Sequence, residues 1–133
     1  MPDTFSLHKM RNFRELKVWE RSHRLTLDVY KATSRFPREE LYGLPSQIRR
    51  SCASILGNIA KGCGRGGNAD LARFLQMAIE SATELEYHFL AHDLDRLGVS
   101  DYNRLSNEVI ETKHMLTSFI RSLRAFSNRP PEA

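Results

Sequence analysis

Cysteine is nearly absent from this chain: two of 133 residues, Cys52 and Cys63. Eleven positions of helix would separate their Cα atoms by about 16 Å, and a disulfide tolerates only about 4.4–6.8 Å. A disulfide framework is therefore excluded. Both read as free thiols of a reducing compartment, Cys52 as a small core residue and Cys63 as an exposed thiol. No stretch approaches the roughly 18 uninterrupted apolar residues of a membrane span. The first ten residues lack the apolar run of a signal peptide. The expectation is a cytoplasmic protein with no membrane partner. Proline is scarce at five residues, and no alternating apolar run with turn punctuation predicts a strand. What remains is ordinary globular usage, 41% hydrophobic and 27% charged, which excludes a disordered or fibrous chain.

Charge is unevenly placed. Residues 1–66 hold 13 Lys and Arg against 6 Asp and Glu, a net +7, and residues 67–133 hold 7 against 10, a net −3. Such a division fits an anionic partner on one face, oppositely charged surfaces meeting in an assembly, or simply an uneven solvated surface.

Apolar periodicity predicts four helices. The first runs from about Glu15 to Ser34, with Leu16, Trp19, His23, Leu27 and Tyr30 at steps of 3, 4, 4 and 3. Val18, Leu25 and Val29 form a second stripe beside them. The helix should end before Pro37. The second opens near Pro45 and carries Leu44, Ile48, Cys52, Ile55 and Ile59. It should stop within Gly62-Cys63-Gly64-Arg65-Gly66-Gly67, where four glycines in six residues cannot sustain a helix. Asn68 is a natural N-cap for the third helix, whose face is Leu71, Phe74, Leu75, Ala78, Ala82, Leu85 and Phe89. Gly98 suits its C-cap. The fourth starts at Ser100, and Tyr102, Leu105, Val109, Thr112, Leu116, Phe119, Leu123 and Phe126 follow at steps of 3 and 4. These segments bury their faces most simply in an all-α, antiparallel up-down-up-down four-helix bundle. The expected organisation is a flexible segment 1–12, a bundle domain 13–126 and a disordered tail 127–133.

Few residues suit catalysis. Gly62-Cys63-Gly64-Arg65-Gly66-Gly67 matches G-x-G-x-x-G, but a helix rather than a strand precedes it, so it reads as a helix-to-helix turn. Arg65 with the free N–H groups of the third helix could hold one phosphate there. Glu84, His88 and His92 stack at i, i+4 and i+8 without an evident fourth ligand. Cys63 lies near Lys61 and Arg65 with no placed base. No G-x-S-x-G elbow, P-loop or kinase set is present. The reading is no enzyme and no cofactor, with a small metalloenzyme as the weaker alternative. On the second and third helices Gln47, Asn58, Ser81 and Glu84 flank the apolar seam, where buried polar groups must pair. They are expected to form a structural network.

The cations are clustered. Arg11, Arg14, Lys17, Arg21 and Arg24 follow one another at steps of 3, 3, 4 and 3 along one helix face. Arg49 and Arg50 lie in the second helix, and Lys61 and Arg65 at its exit. Such patches fit a phosphate backbone, recognised by charge without base readout. A merely solubilising row is the bland alternative.

Several stretches are familiar together: Phe13-Arg14-Glu15-Leu16-Lys17-Val18-Trp19-Glu20, Tyr42-Gly43-Leu44, Gln47-Ile48-Arg49-Arg50-Ser51, Ser54-Ile55-Leu56-Gly57-Asn58-Ile59-Ala60-Lys61-Gly62, and Glu80 to Glu86. From about Phe13 to Leu123 the chain resembles the four-helix bundle family named for proteins encoded in intervening sequences of bacterial 23S rRNA genes. That family is similar to the accessory variability protein of diversity-generating retroelements, a pentameric barrel that binds a reverse transcriptase and nucleic acid. The resemblance implies a homopentamer, no established catalytic activity, and a possible protein partner such as a reverse transcriptase. This chain has Lys61 where the family usually has Glu, and Glu80 where it has Gly.

The expected function is a non-enzymatic, oligomeric adaptor or assembly protein that binds nucleic acid, RNA in particular. Its phosphate contacts would be Arg14, Lys17, Arg21, Arg24, Arg49, Arg50, Lys61 and Arg65. The rival is a protein–protein scaffold without nucleic acid, anchored by apolar and aromatic side chains.

Overall fold

A computed structural model describes residues 12–36, 43–91 and 98–127. Arg11, Pro37, His92 and the segments 1–11 and 128–133 lie outside the described residues. Four helices account for nearly all of the described chain: α1 (Lys17–Thr33), α2 (Leu44–Cys63), α3 (Asn68–Ala91) and α4 (Val99–Ser127). A short 3-10 turn, Phe13–Glu15, precedes them, and no strand occurs among the described residues.

The helices form an antiparallel bundle. The end of α1 meets the start of α2 through Arg49 and Thr33, and Ser54 of α2 meets Ser81 of α3. Glu86 of α3 pairs with Lys113 of α4. The start of α4 returns to the end of α1 through Asp101 and Arg35. Between them lies one continuous core that takes Leu25, Val29, Ile48, Ile55, Ile59, Leu75, Leu85, Phe89, Leu105, Val109 and Leu116 almost wholly out of water. Three hydroxyls inside that core are satisfied by their own helices: Ser22, Thr33 and Thr112 donate to the carbonyls of Val18, Val29 and Glu108 at 2.7–2.8 Å.

Four local expectations change. The first helix begins later than Glu15, because Asn12 accepts the Arg14 N–H at 3.1 Å and closes a 3-10 turn first. Leu16 then adopts an extended conformation and serves as the N-cap of α1. The second helix ends inside the glycine run, as expected, with Cys63 as its last residue. A Cβ on Gly62 would stand 2.9 Å from both Leu71 Cδ1 and Phe74 Cβ, so the missing side chain lets α2 and α3 approach closely. Helical continuation also carries Cys63 inward to 1% exposure, which corrects its reading as an exposed thiol. The third helix takes Gly67 rather than Asn68 as the residue before its first turn, since the Gly67 carbonyl accepts the Leu71 N–H at 3.0 Å. Gly98 has φ +82° and its carbonyl accepts the Tyr102 N–H, so it opens α4.

The two stripes of α1 also separate. Val18, Ser22, Leu25, Val29 and Ala32 enter the core, whereas Leu27 and Tyr30 remain 56% and 41% exposed. Trp19 and His23 lie half-buried on that outer stripe with their rings stacked at 5.0 Å. Phe13 packs on Trp19 at 5.1 Å.

Candidate nucleic-acid interface

Helical geometry sets where each cation points. Successive α1 residues turn by about 100°, so Lys17, Arg21, Arg24, Asp28 and Lys31 share the flank toward α4. The outer aromatic stripe lies on the flank toward α2. Lys17 and Arg24 are exposed and Arg21 is half-buried. Arg14 stands on the 3-10 turn with its guanidinium 4.9 Å from the Phe13 ring centroid.

The α1 row does not face open solvent alone. Arg21 and Arg24 share a cavity of about 230 Å³ with Asp28 and Glu108. Beside it, Arg104 of α4 binds three carboxylates at once: Asp28 at 3.2 Å, Asp101 at 3.3 Å and Glu108 at 3.7 Å. Arg35 reaches Asp101 at 3.3 Å. Burial, followed by the neighbouring Asp28 carboxylate, pushes Glu108 above the usual carboxylate range, against the opposing pull of Arg104 and Arg21. This acidic lining was not among the sequence-derived candidates. The spacing Asp101, Arg104, Glu108 was visible as i, i+3 and i+4 partners, but only the packing of α4 on α1 brings it against Arg21.

On α2 the two neighbouring arginines part company. Arg49 Nε donates to Thr33 Oγ1 at 3.0 Å, its Nη2 donates to the Tyr30 carbonyl at 3.3 Å, and the guanidinium lies 4.8 Å from the Tyr30 ring centroid. Arg50, one residue on and about 100° round the helix, is exposed and reaches only Ser46 at 3.5 Å. Lys61 is exposed too, two turns beyond Ser54 on the side toward α3. Arg65 is exposed in the α2–α3 turn, its guanidinium 5.3 Å from the Phe74 centroid. Arg73, absent from the sequence-derived set, lies over the same ring at 4.8 Å. Within one chain the cations thus form separate groups, one along the α1–α4 groove and one on the outer side of α2 and its exit.

The expected polar network is smaller than its candidate list. Asn58 Nδ2 donates to the Ser54 carbonyl at 2.9 Å and to Ser54 Oγ at 3.2 Å, and Ser54 Oγ meets Ser81 Oγ at 2.7 Å. Gln47 and Glu84 stand outside it. Gln47 is exposed, and Glu84, with its side chain 61% exposed, turns to His88 Nε2 at 3.3 Å. One helical turn from Ser81, Glu84 already points past the seam. Ser51 Oγ and Asn58 Oδ1 are buried without a partner from the described chain. His92 lies outside the described residues, and no group of three metal-ligating side chains occurs among those described.

A cleft of about 540 Å³ lies between the start of α3 and the end of α4, over Ala69, Ala72, Met77 and Leu123. Among the described residues its lining includes one carboxylate, Glu80, and no histidine, cysteine or serine. Among the described residues no helix is long and apolar enough to cross a membrane.

The model of the 23S rRNA-intervening sequence protein family matches residues 14–118. The chain belongs to that family. A crystal structure of a protein of unknown function from the S23 ribosomal protein family of Bacteroides thetaiotaomicron is similar to it, with 25% sequence identity and a TM-score of 0.66. The similarity covers 78% of this chain and 98% of that one. No curated protein matches the chain.

Proposed function

We propose that this protein is a non-enzymatic nucleic-acid-binding adaptor, with RNA as its ligand, that works as a homo-oligomer. The observation that carries the reading is the set of exposed cations on the basic half of the chain: Arg14, Lys17, Arg24, Arg50, Lys61 and Arg65. The family's description, which refers to 23S rRNA intervening sequences, favours RNA over other polyanions. Contacts of this kind bind phosphates by charge, so affinity should be sequence-tolerant and fall steeply with salt. Arg49 belongs to a different part of the reading, because its donors hold α2 against α1.

The oligomer is proposed as a pentamer, from the family resemblance. Exposed Leu27 and Tyr30 on the outer stripe of α1 supply the apolar surface such an interface needs. Symmetric repetition would bring the separate cation groups of neighbouring copies round one axis, and repeated weak phosphate contacts reinforce one another. A protein partner such as a reverse transcriptase is part of the same proposal.

The test is an anisotropy titration with structured RNA, single-stranded DNA and duplex DNA at two salt concentrations. Binding that weakens at higher salt, strongest for RNA, supports the reading. No binding of any of them at low salt overturns it in favour of a protein–protein scaffold. Light scattering that gives the 15.3 kDa monomer at every concentration would remove the oligomer.

A further inference from the structure

The cavity between α1 and α4 places the α1 arginines and two carboxylates against one another. Arg21, Arg24, Asp28 and Glu108 line it, and its volume of about 230 Å³ exceeds what one phosphate group occupies. Asp28 and Glu108 come from different helices, and both carboxylates approach the same nitrogen, Nη1 of Arg104, at 3.2 and 3.7 Å. The groups facing Glu108 from α1 are Asp28, Arg21 and Arg24; on α4 it faces Arg104, which also holds Asp101. Two carboxylates this close compete for the same guanidinium groups, and a proton shared between them relieves their repulsion.

We propose that this groove is a phosphate subsite of the nucleic-acid surface, in which Glu108 takes up one proton as a phosphate settles between Arg21 and Arg24. The proposal rests on the nucleic-acid reading above and adds its regulation by pH. A phosphate entering the groove brings negative charge beside Asp28 and Glu108. Glu108 is the carboxyl already displaced toward its neutral form by burial and by Asp28. Once protonated it donates a hydrogen bond to the Asp28 carboxylate, and the positive charge of Arg21 beside it is left to the phosphate. One proton passes from solvent to Glu108 Oε, and no other covalent bond forms or breaks. Linkage then requires that binding strengthen as pH falls, because the bound state holds the extra proton.

The test uses the full-length protein and a fluorescein-labelled single-stranded RNA, with anisotropy titrations from about pH 8 to about pH 5.5 at one low salt concentration. Wild type should tighten roughly three- to tenfold over that range, the scale of one screened charge–charge contact. Glu108→Gln should bind at the alkaline end nearly as tightly as wild type does at the acid end, with most of the pH slope gone. Glu80→Gln, the same charge change at an exposed site on α3, should follow wild type. Equal pH slopes for wild type and Glu108→Gln overturn the proposal, as does equal tightening by both variants. Circular dichroism checks that Glu108→Gln is folded. If it is not, calorimetry of wild type near pH 6 in two buffers of different ionisation enthalpy decides: proton uptake supports the subsite and none overturns it. Failure of every RNA to bind at every pH is a separate result, which sinks the nucleic-acid reading itself.

Discussion

Arg49 of α2 lies over the ring of Tyr30 in α1, 4.8 Å from its centroid, and donates to the Tyr30 backbone carbonyl at 3.3 Å. The contact joins the end of α1 to the start of α2. It also removes one arginine of an Arg-Arg pair from the solvent-facing charge.

That asymmetry predicts different outcomes for adjacent substitutions. Arg49→Ala should cost about 1–2 kcal/mol of stability, from two charge-assisted hydrogen bonds and a partly exposed cation–π contact. Arg50→Ala should change stability by less than about 0.5 kcal/mol while lowering RNA affinity and the steepness of its salt dependence. Urea denaturation of both variants, with binding isotherms at two salt concentrations, checks the split.

Two helical glycines should respond in opposite directions. A Cβ at Gly62 meets Leu71 and Phe74 at 2.9 Å, so Gly62→Ala should force α2 and α3 apart and cost about 1–3 kcal/mol. At Gly57 a Cβ meets nothing within 4 Å. Gly57→Ala should therefore stabilise the helix by about 0.5–1 kcal/mol. Thermal melts of the two variants make the comparison, and loss of stability in both would contradict the helix packing described above.

Ser51 offers a gain of another kind. Its hydroxyl is buried and finds no acceptor or donor in the described chain. Ser51→Ala removes a desolvated polar atom and improves helix propensity, so stability should rise by about 0.5–1 kcal/mol. A lower midpoint in urea would mean that Ser51 Oγ makes a bond on which the native protein depends.

Glu108 gives the pH dependence of folding. Its carboxyl is held above the ordinary value in the folded protein, so between that ordinary value and the raised one the native state binds more protons than the unfolded chain. The contribution of this group to stability therefore rises as pH falls through that window. Glu108→Gln should melt at a higher temperature than wild type at neutral pH, and the difference should shrink as the solution is acidified toward the ordinary glutamate range. A difference that grows on acidification would show that the Arg104 contact outweighs burial and Asp28.

Much of the fold was legible in the residues. A stripe with steps of 3 and 4, repeated through Leu105, Val109, Thr112, Leu116, Phe119 and Leu123, can bury itself only as a helix, and four such stripes need one another. The turn between α2 and α3 was also written in the glycine run, although its first glycine proved to be helix and packing rather than turn. What periodicity could not decide was direction. Leu16, Trp19, His23, Leu27 and Tyr30 repeat as regularly as Val18, Leu25 and Val29, and only the surrounding helices choose which stripe is covered. The same limit applies to the charges. Local spacing places Arg21, Arg24 and Asp28 on one face of α1, but the second carboxylate that meets the arginines, Glu108, comes from α4, some eighty residues later in the chain. Arg49 and Arg50 are neighbours in sequence, yet a turn of about 100° sends one to Tyr30 and the other to solvent. Helix positions follow from short-range chemistry along the chain; the partners of each charge depend on distances between helices, which exist only after the bundle has closed.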